Sequence, residues 1–249
     1  MQDNVLTDKV ALITGGARRL GAAVARELHR QGMRLVLHYR SSDAEAHALQ
    51  RELLATRPDS VLLVKGDLLD VHKIENLIVE TANTFGRLDA LVNSASTFYQ
   101  TPIGETSEEQ WNDLMGTNLK APYFLVQEAA ALLRASHGVV INMADIYAWH
   151  PLSSHAVYTT AKAGLIALTR TMARELAPEV RVNAIAPGAI LWATGDTDQV
   201  AQQRVISRTP LKRTGAPEEI ARAVLFLVRD ATFTTGQVLA VDGGRSING

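Results

Sequence analysis

Short apolar runs alternate with longer amphipathic stretches along almost the whole chain, and this alternation restricts the fold more than any other feature. The predicted strands are 9–14, 34–39, 61–65, 88–93, 138–143, 180–185 and 237–241. The predicted helices lie between them, at 20–32, 43–56, 70–86, 108–135, 155–177 and 217–229. Such alternation favours a parallel sheet with right-handed crossovers and helices on both faces. We therefore predict a doubly wound α/β fold of about seven strands.

The composition is that of one globular domain. No low-complexity linker or charge block interrupts the 249 residues, so a single domain over 1–249 is predicted. Hydrophobic residues make up 47% and the formal net charge is -1, which argues against a disordered chain and against nucleic acid as a partner. The chain has no cysteine, so it has neither disulfides nor thiolate metal sites.

The sequence also lacks the signals of export, membrane insertion and metal catalysis. Asp3 and Asp8 stand where a signal peptide needs basic residues, and no apolar run approaches about 18 residues. We expect a cytoplasmic protein without a membrane span. The seven histidines show no metal-binding spacing, so no catalytic metal is predicted.

A glycine-marked turn follows the first predicted strand. The segment from Gly15 to Gly21 leads directly into a helical pattern. Glycine at these positions lets the backbone approach a pyrophosphate, whose charge is attracted by the helix N-terminus. The spacing differs from Gly-x-Gly-x-x-Gly, so a turn that serves only packing is the alternative. The turn also contains Arg18, Arg19 and Leu20.

The end of the second predicted strand favours a phosphorylated dinucleotide. A site for NAD typically places a carboxylate there, but the first acidic residue is Asp43. Cations and hydroxyl groups, which suit a 2′-phosphate, take its place. NADP(H) is therefore the predicted cofactor, and solvated surface charge is the alternative for each arginine alone. The predicted site continues along the strand ends through His38, Tyr39, Arg40, Ser41, Asp67, Leu68, Asn93, Ala95 and Ser96.

A tyrosine and a lysine four residues apart open the helical pattern after the fifth predicted strand. At this spacing Tyr158 and Lys162 share one face of a helix. An ammonium group beside a phenol stabilises the phenolate, which predicts a lowered tyrosine pKa and a general acid that works near neutral pH. An exposed pair on an ordinary helix is the alternative. Placement after a strand of a nucleotide-binding pattern favours catalysis.

Several short segments together resemble the short-chain dehydrogenase/reductase superfamily over the whole chain. They are TGGARRLG at 14–21, the turn at Asn93, Asn118, YTTAK at 158–162, Pro187-Gly188 and VDGG at 241–244. The resemblance implies a single Rossmann-type domain and hydride transfer from NADPH. It implies that Asn118, Tyr158 and Lys162 are catalytic residues and that Lys162 holds the nicotinamide ribose. It also places Pro187 and Gly188 at the cofactor.

One position departs from the usual pattern of that superfamily. A serine normally lies 13 residues before the tyrosine, and here the residue is Asp145. An ionised carboxylate cannot donate a hydrogen bond, so it would serve an ordinary ketone poorly. An aspartate there, together with Arg19, HYR at 38–40 and STFY at 96–99, resembles the pteridine reductases.

Resemblance to the pteridine reductases implies further roles. Phe98 would stack a pterin ring against the nicotinamide, and Ser96 and Arg19 would contact cofactor phosphate and the pterin edge. Tyr158 would protonate N5 in the dihydro-to-tetrahydro step, and Asp145 would serve N8 of a fully oxidised pterin. Burial raises the pKa of a carboxyl, as such a donor needs. The predicted substrate is a dihydropterin, with oxidised pterin or dihydrofolate as further substrates.

Segment 189–208 occupies the place of the superfamily's variable substrate loop. Leu191 and Trp192 would wall the substrate pocket there, or would pack without touching it. His150 and His155 lie between the two predicted proton donors. They are interpreted as ordinary loop histidines, with the edge of the site as the alternative.

Two predicted helices, 108–135 and 155–177, carry apolar residues on more than one face. The resemblance implies a four-helix dimer interface there, and commonly a homotetramer. The alternative is that these residues all pack within the core of a single monomer. The residues concerned are Leu114, Leu119, Phe124, Leu125, Leu165, Ile166, Leu168 and Met172.

Two other functions remain open. The first is a carbonyl reductase of a 3-oxoacyl thioester or another ketone, against which Phe98 and Arg19 argue. The second is a non-catalytic NADP(H)-binding sensor, against which the intact Asn118, Tyr158 and Lys162 argue.

Overall fold

The computed structural model describes residues 5–190 and 198–247. Within them, seven parallel strands form one sheet in the order β3-β2-β1-β4-β5-β6-β7. The direction of winding reverses between β1 and β4, and a crevice opens beyond the carboxyl ends of strands at such a point. The predicted fold class is confirmed. The strands are β1 (Val10–Ile13), β2 (Arg34–Tyr39), β3 (Val61–Lys65), β4 (Ala90–Asn93), β5 (Val139–Met143), β6 (Arg181–Pro187) and β7 (Val238–Val241).

Helices cover both faces of the sheet. Neighbouring strand residues face opposite layers, so Ile13 packs against the helices on one face of the sheet and Leu12 against those on the other. Burial on both faces explains the near-continuous apolar runs of the strands. The helices are α1 (Arg19–Arg30), α2 (Asp43–Thr56), α3 (Val71–Phe85), α4 (Glu108–Met115), α5 (Ala121–Ser136), α6 (Ala156–Glu175), α7 (Gln199–Arg208) and α8 (Pro217–Leu225).

The stretch predicted as one helix, 108–135, is helical throughout, with one interruption of its regular α-helical hydrogen bonding. A π-helical segment, Gly116–Lys120, separates α4 from α5. Pro122 lies in the first turn of α5 and has no amide hydrogen to donate to the carbonyl of Asn118, so the regular helical hydrogen bonding fails there. The interruption lies beside the carboxyl ends of the strands, where it positions Asn118.

The region predicted as a variable loop, 189–208, contains a helix. Its second half is α7, whose first turn is capped by the Asp198 side chain accepting from the amide of Ala201 at 2.9 Å. The predicted pocket residues Leu191 and Trp192 lie outside the described residues. None of the helices that the structure describes has the length and apolar content needed to cross a bilayer.

The monomer core accounts for most of the surplus apolar residues in the helices. Five are buried within this one chain: Leu114, Leu125, Leu165, Ile166 and Met172. Leu119, Phe124 and Leu168 are only half-buried. The monomer therefore explains part of the pattern and leaves a narrow apolar strip uncovered.

Candidate active site

A cavity of about 740 Å³ opens beyond the carboxyl ends of the strands on both sides of the reversal. Because parallel strands end at the same edge of the sheet, residues far apart in sequence meet there. Most of the predicted site residues line this cavity. They are Gly15, Arg18, Arg19, Leu20, Gly21, His38, Tyr39, Arg40, Ser41, Asp67, Leu68, Ala95, Ser96, Phe98, Asp145, Tyr158, Lys162, Pro187 and Gly188.

Two predicted residues lie behind the cavity wall. Asn93 is 3% exposed, and its side-chain amide donates to Asn142 Oδ1 at 2.8 Å, inside the sheet. Asn118 is also buried and accepts from Ser96 Oγ at 2.6 Å. Its amide group donates to the carbonyls of Thr97 (3.0 Å) and Leu114 (2.9 Å). Asn118 therefore fixes the backbone after β4, which carries Ser96 and Phe98.

The glycine turn is too tight for larger residues at two positions. Gly15 has φ +61°, and a Cβ there would lie 3.0 Å from Ala95 Cα. A Cβ at Gly21 would lie 2.2 Å from the Gly15 carbonyl oxygen. Arg18 precedes α1 without a side-chain cap bond to the helix. The N-terminus of α1 therefore lies at the cavity wall without a cap from the Arg18 side chain, an arrangement that suits an anionic ligand.

His38 joins two turns of this wall. Its Nδ1 accepts from the amide of Gly15 at 3.4 Å, and its Nε2 donates to the carbonyl of Gly66 at 3.0 Å. Burial lowers the pKa of His38 to about 4, so the ring is neutral at physiological pH. His38 therefore acts more by positioning the glycine turn than as a charged contact.

Acidification is expected to destabilise the chain through His38. The native ring stays neutral down to about pH 4, whereas the unfolded ring takes up a proton near pH 6.5. The free energy of unfolding should therefore fall between these pH values, by about 1.4 kcal/mol per pH unit from this group. Urea unfolding of the parent and of His38→Gln at several pH values measures the difference.

The exposed residue His47 on α2 supplies the matched control for this experiment. His47→Gln controls for the loss of one imidazole from the chain, and His38→Gln should flatten the pH dependence of unfolding. Parallel curves for the parent and His38→Gln would contradict the role given to burial.

Tyr158, Asp145 and Lys162 meet at the centre of the cavity. The Tyr158 hydroxyl donates to Asp145 Oδ2 at 2.7 Å. Lys162 Nζ donates to the carbonyl of Met143 at 2.8 Å and lies 5.6 Å from the centroid of the Tyr158 ring. Tyr158 and Lys162 are 4% and 3% exposed. The Tyr158 hydroxyl and the Asp145 carboxyl thus share one hydrogen bond, and the Lys162 ammonium group lies beside the Tyr158 ring.

The electrostatics confirm one prediction and correct another. Burial raises the pKa of Asp145, as predicted. Burial lowers the pKa of Lys162 to about 8. The predicted lowering of the tyrosine pKa is wrong for this site, because burial and then the Asp145 charge raise the pKa of Tyr158 well above 10. The Lys162 ammonium donates to Met143, not to the phenol, so it offsets neither effect.

The aromatic ring of Phe98 stands at the mouth of the cavity. It is 47% exposed, and its ring centroid lies 4.8 Å from that of Tyr158 at an interplanar angle of 81°. Edge-to-face contact of this kind is a favoured arrangement of aromatic pairs. Phe98 therefore presents apolar surface directly beside the proton donors.

The structure adds residues that sequence reasoning missed. Tyr147 lines the cavity from the turn after Asp145, and burial raises its pKa. Its short distance from Asp145 in the sequence was a usable signal. The cavity residues of α7 lie within 189–208, the segment predicted as the substrate loop, but their individual contacts were not predicted. Further lining residues are Thr117, Ile190, Ala201, Gln202 and Val205.

Comparison with known proteins identifies the family. A family model described as enoyl-(acyl carrier protein) reductase matches residues 15–246. Pteridine reductase 1 of Leishmania tarentolae is 34% identical, with 97% of each chain covered. The chain belongs to the short-chain dehydrogenase/reductase superfamily. Also similar are the 3-oxoacyl-(acyl-carrier-protein) reductases of Staphylococcus aureus strain Mu50 (34%, covering 95% of this chain and 97% of the relative) and of Synechocystis (35%, covering 96% and 97%).

The chain is an oxidoreductase of this superfamily, and its cavity fits NADPH. The glycine turn leaves no room for a Cβ at Gly21, so the backbone itself forms the wall beside the helix N-terminus. Arg18, Arg40 and Ser41 line the same end of the cavity and suit a phosphate. Among the described residues, no cluster of three or more histidine or acidic side chains is placed to hold a metal ion.

Proposed function

We propose that this chain is an NADPH-dependent pteridine reductase, which adds a hydride and a proton across a C=N bond of a dihydropterin. One observation carries the proposal. The half-buried Asp145 accepts a hydrogen bond from the Tyr158 hydroxyl at 2.7 Å, in a position where the superfamily normally has serine. A ring nitrogen needs a proton donor, and a carboxyl with a raised pKa supplies one.

Bound NADPH would supply the hydride. The glycine turn and the N-terminus of α1 would hold its pyrophosphate, and Arg40 with Ser41 would hold the 2′-phosphate. The Arg40 side chain is half-exposed and forms a loose ion pair of 3.7 Å with Asp113. Lys162 would hold the nicotinamide ribose from the buried side of the cavity.

The protein residues handle the proton. Tyr158 gives its hydroxyl proton to the ring nitrogen beside the reduced carbon, and the phenolate formed lies within hydrogen-bond distance of Asp145. A protonated Asp145 then returns a proton along the same hydrogen bond. Burial favours that protonated form, since it raises the pKa of Asp145. The net reaction consumes one dihydropterin, one NADPH and one proton and forms the tetrahydropterin and NADP⁺.

Reduction of a 3-oxoacyl thioester is the competing function. Relatives named for that reaction are as similar to this chain as the pteridine reductase is. A ketone oxygen needs hydrogen-bond donors around it. The superfamily's usual serine hydroxyl, which donates at any pH, is absent here, and the Asp145 carboxyl that replaces it donates only when it is protonated. Phe98 favours a flat ring over an acyl chain, because a planar heterocycle can stack on it.

The Asp145→Ser variant tests the proposal. With NADPH and 7,8-dihydrobiopterin, kcat/KM is expected to fall at least about tenfold, because the variant lacks the carboxyl proton donor. Dihydrofolate should follow the same trend. Acetoacetyl-CoA and simple ketones should be poor substrates for the parent, and serine should leave them unchanged or improve them. The rate of NADPH oxidation, followed by the absorbance of NADPH, measures the turnover of each substrate.

Asp230→Ser, at an aspartate paired with Arg229 on the surface, is the control and should retain the parent rates. Turnover of ketones alone by the parent would favour the 3-oxoacyl function. Tight NADPH binding without turnover of any substrate would favour a sensor.

We further propose that the chain forms a homo-oligomer, with a tetramer as the expected state. Leu119, Phe124 and Leu168 are half-buried, and Tyr123, which is 45% exposed, meets the Phe124 ring edge to face at 5.2 Å. A second copy packed against α5 and α6 would cover this strip.

A further inference from the structure

His155 lies behind the cavity wall and contacts Phe98 face to face. The two ring centroids are 4.7 Å apart and the rings are 16° from parallel. His155 is 7% exposed, whereas Phe98 is 47% exposed and lines the cavity. The histidine ring therefore covers one side of Phe98 and leaves open surface for a ligand.

His155 is itself held firmly. Its Nδ1 donates to the carbonyl of Ser153 at 2.8 Å. Its backbone pairs with Thr101 in an isolated parallel bridge, and Thr101 Oγ1 accepts from the amide of Val157 at 3.3 Å. Thr101 is fully buried. These contacts fasten the segment that carries Phe98 to the start of α6.

His155 therefore contributes to the positions of both the Phe98 ring and Tyr158. His155 immediately precedes α6, and Tyr158 lies in the first turn of that helix. Phe98 meets the His155 ring by stacking and the Tyr158 ring edge to face, at 4.7 and 4.8 Å. The ring of Phe98 is thus fixed relative to the hydroxyl of Tyr158.

We propose that His155 is a positioning residue for a planar heteroaromatic substrate. By stacking on Phe98, His155 fixes the position of the Phe98 ring. A flat substrate that stacks on the open side of Phe98 then has its ring nitrogen beside the Tyr158 hydroxyl. This inference rests on the proposed pteridine reductase function. An aromatic side chain already fixed in its bound rotamer loses less conformational entropy when the substrate stacks on it.

Two variants separate the ring of His155 from its hydrogen bond. His155→Asn keeps an N–H donor for the Ser153 carbonyl and removes the ring. His155→Phe keeps a flat ring and removes the donor. With 7,8-dihydrobiopterin, His155→Asn is expected to raise KM about three- to tenfold, the range of one aromatic pair, with kcat little changed. His155→Phe should restore a KM close to that of the parent.

Other readouts distinguish positioning from general damage. The melting temperature and the Kd for NADPH should stay close to the parent values in both variants. In a Phe98→Leu background, His155→Asn should have no further effect on KM, because the stacking partner is already gone.

Each remaining outcome contradicts the inference. A raised KM in His155→Phe with an unchanged KM in His155→Asn would assign the effect to the hydrogen bond with Ser153 and show that the stack is not needed. Equal KM increases in both variants would show that a flat ring at this position is not what sets the KM. A parent chain that does not reduce dihydrobiopterin at all would overturn the proposed function, and the inference with it. A parent that reduces it while His155→Asn behaves identically overturns the inference alone.

Discussion

Replacing Tyr158 by phenylalanine is expected to lower kcat by about 10²- to 10⁴-fold, the usual contribution of a general acid. The variant keeps the ring that packs against Phe98 and removes only the hydroxyl that donates to Asp145 Oδ2 at 2.7 Å. Cofactor binding should be retained, because the phosphate-binding end of the cavity is separate from this hydroxyl. Steady-state turnover of dihydropterin and a fluorescence titration with NADPH measure the two properties.

A shift in the pH dependence of activity is also expected in Tyr158→Phe. The Tyr158 hydrogen bond lowers the pKa of Asp145 against the larger, opposite effect of burial. Removing the hydroxyl should therefore raise the pKa of Asp145 further, and any residual activity should extend to higher pH. Tyr123→Phe, at a half-exposed tyrosine of α5, is the matched control and should retain the parent rate. Parent-like turnover by Tyr158→Phe would refute its role as proton donor.

Gly21→Ala is expected to weaken NADPH binding at least about tenfold and to lower the melting temperature by roughly 2–10 °C, the range for an overpacked backbone site in a chain of this size. The added Cβ would lie 2.2 Å from the Gly15 carbonyl oxygen, so the turn that walls the cavity must move. In an open helix the same substitution would stabilise, since alanine has the higher helix propensity. Calorimetry and an NADPH titration measure both effects.

Gly164→Ala, in α6, is the matched control for that prediction. Its Cβ would lie 2.9 Å from Leu119 Cδ2, at the end of a side chain that can rotate away, so a small change in stability is expected. Equal losses in the two variants would show that any helical glycine matters. Parent-like NADPH binding by Gly21→Ala would contradict the role of the turn.

Much of the fold could be predicted because its signals are local. Strands buried on both faces have continuous apolar runs, and helices that pack on a sheet have an amphipathic pattern, so their order along the chain indicates the sheet type. These signals did not reveal a change of hydrogen bonding inside a helix, where one residue acts through its backbone. Residues 108–136 are helical without a gap, but Pro122 follows a π-helical segment inside the helix, and only the placement of that segment beside Asn118 shows its use.

Most of the site followed from the same rule. Residues just after parallel strands gather at one edge of the sheet, which brought Gly15, Phe98, Asp145 and Tyr158 into one cavity. The sequence alone identified these four residues, and it showed that an aspartate stands at position 145 in place of the usual serine. It could not separate cavity-lining residues from those one layer behind, such as Asn93 and Asn118, because that depends on which way each side chain packs.

The tertiary structure alone decided the electrostatics and the ring contacts. The spacing of Tyr158 and Lys162 predicted a lowered tyrosine pKa, but the pKa is raised, because burial and Asp145 act on the phenol while the ammonium binds Met143. The neutral state of His38 and the stacking of His155 on Phe98 likewise arise between segments distant in sequence. Desolvation and distance set these properties, and both exist only once the chain has packed.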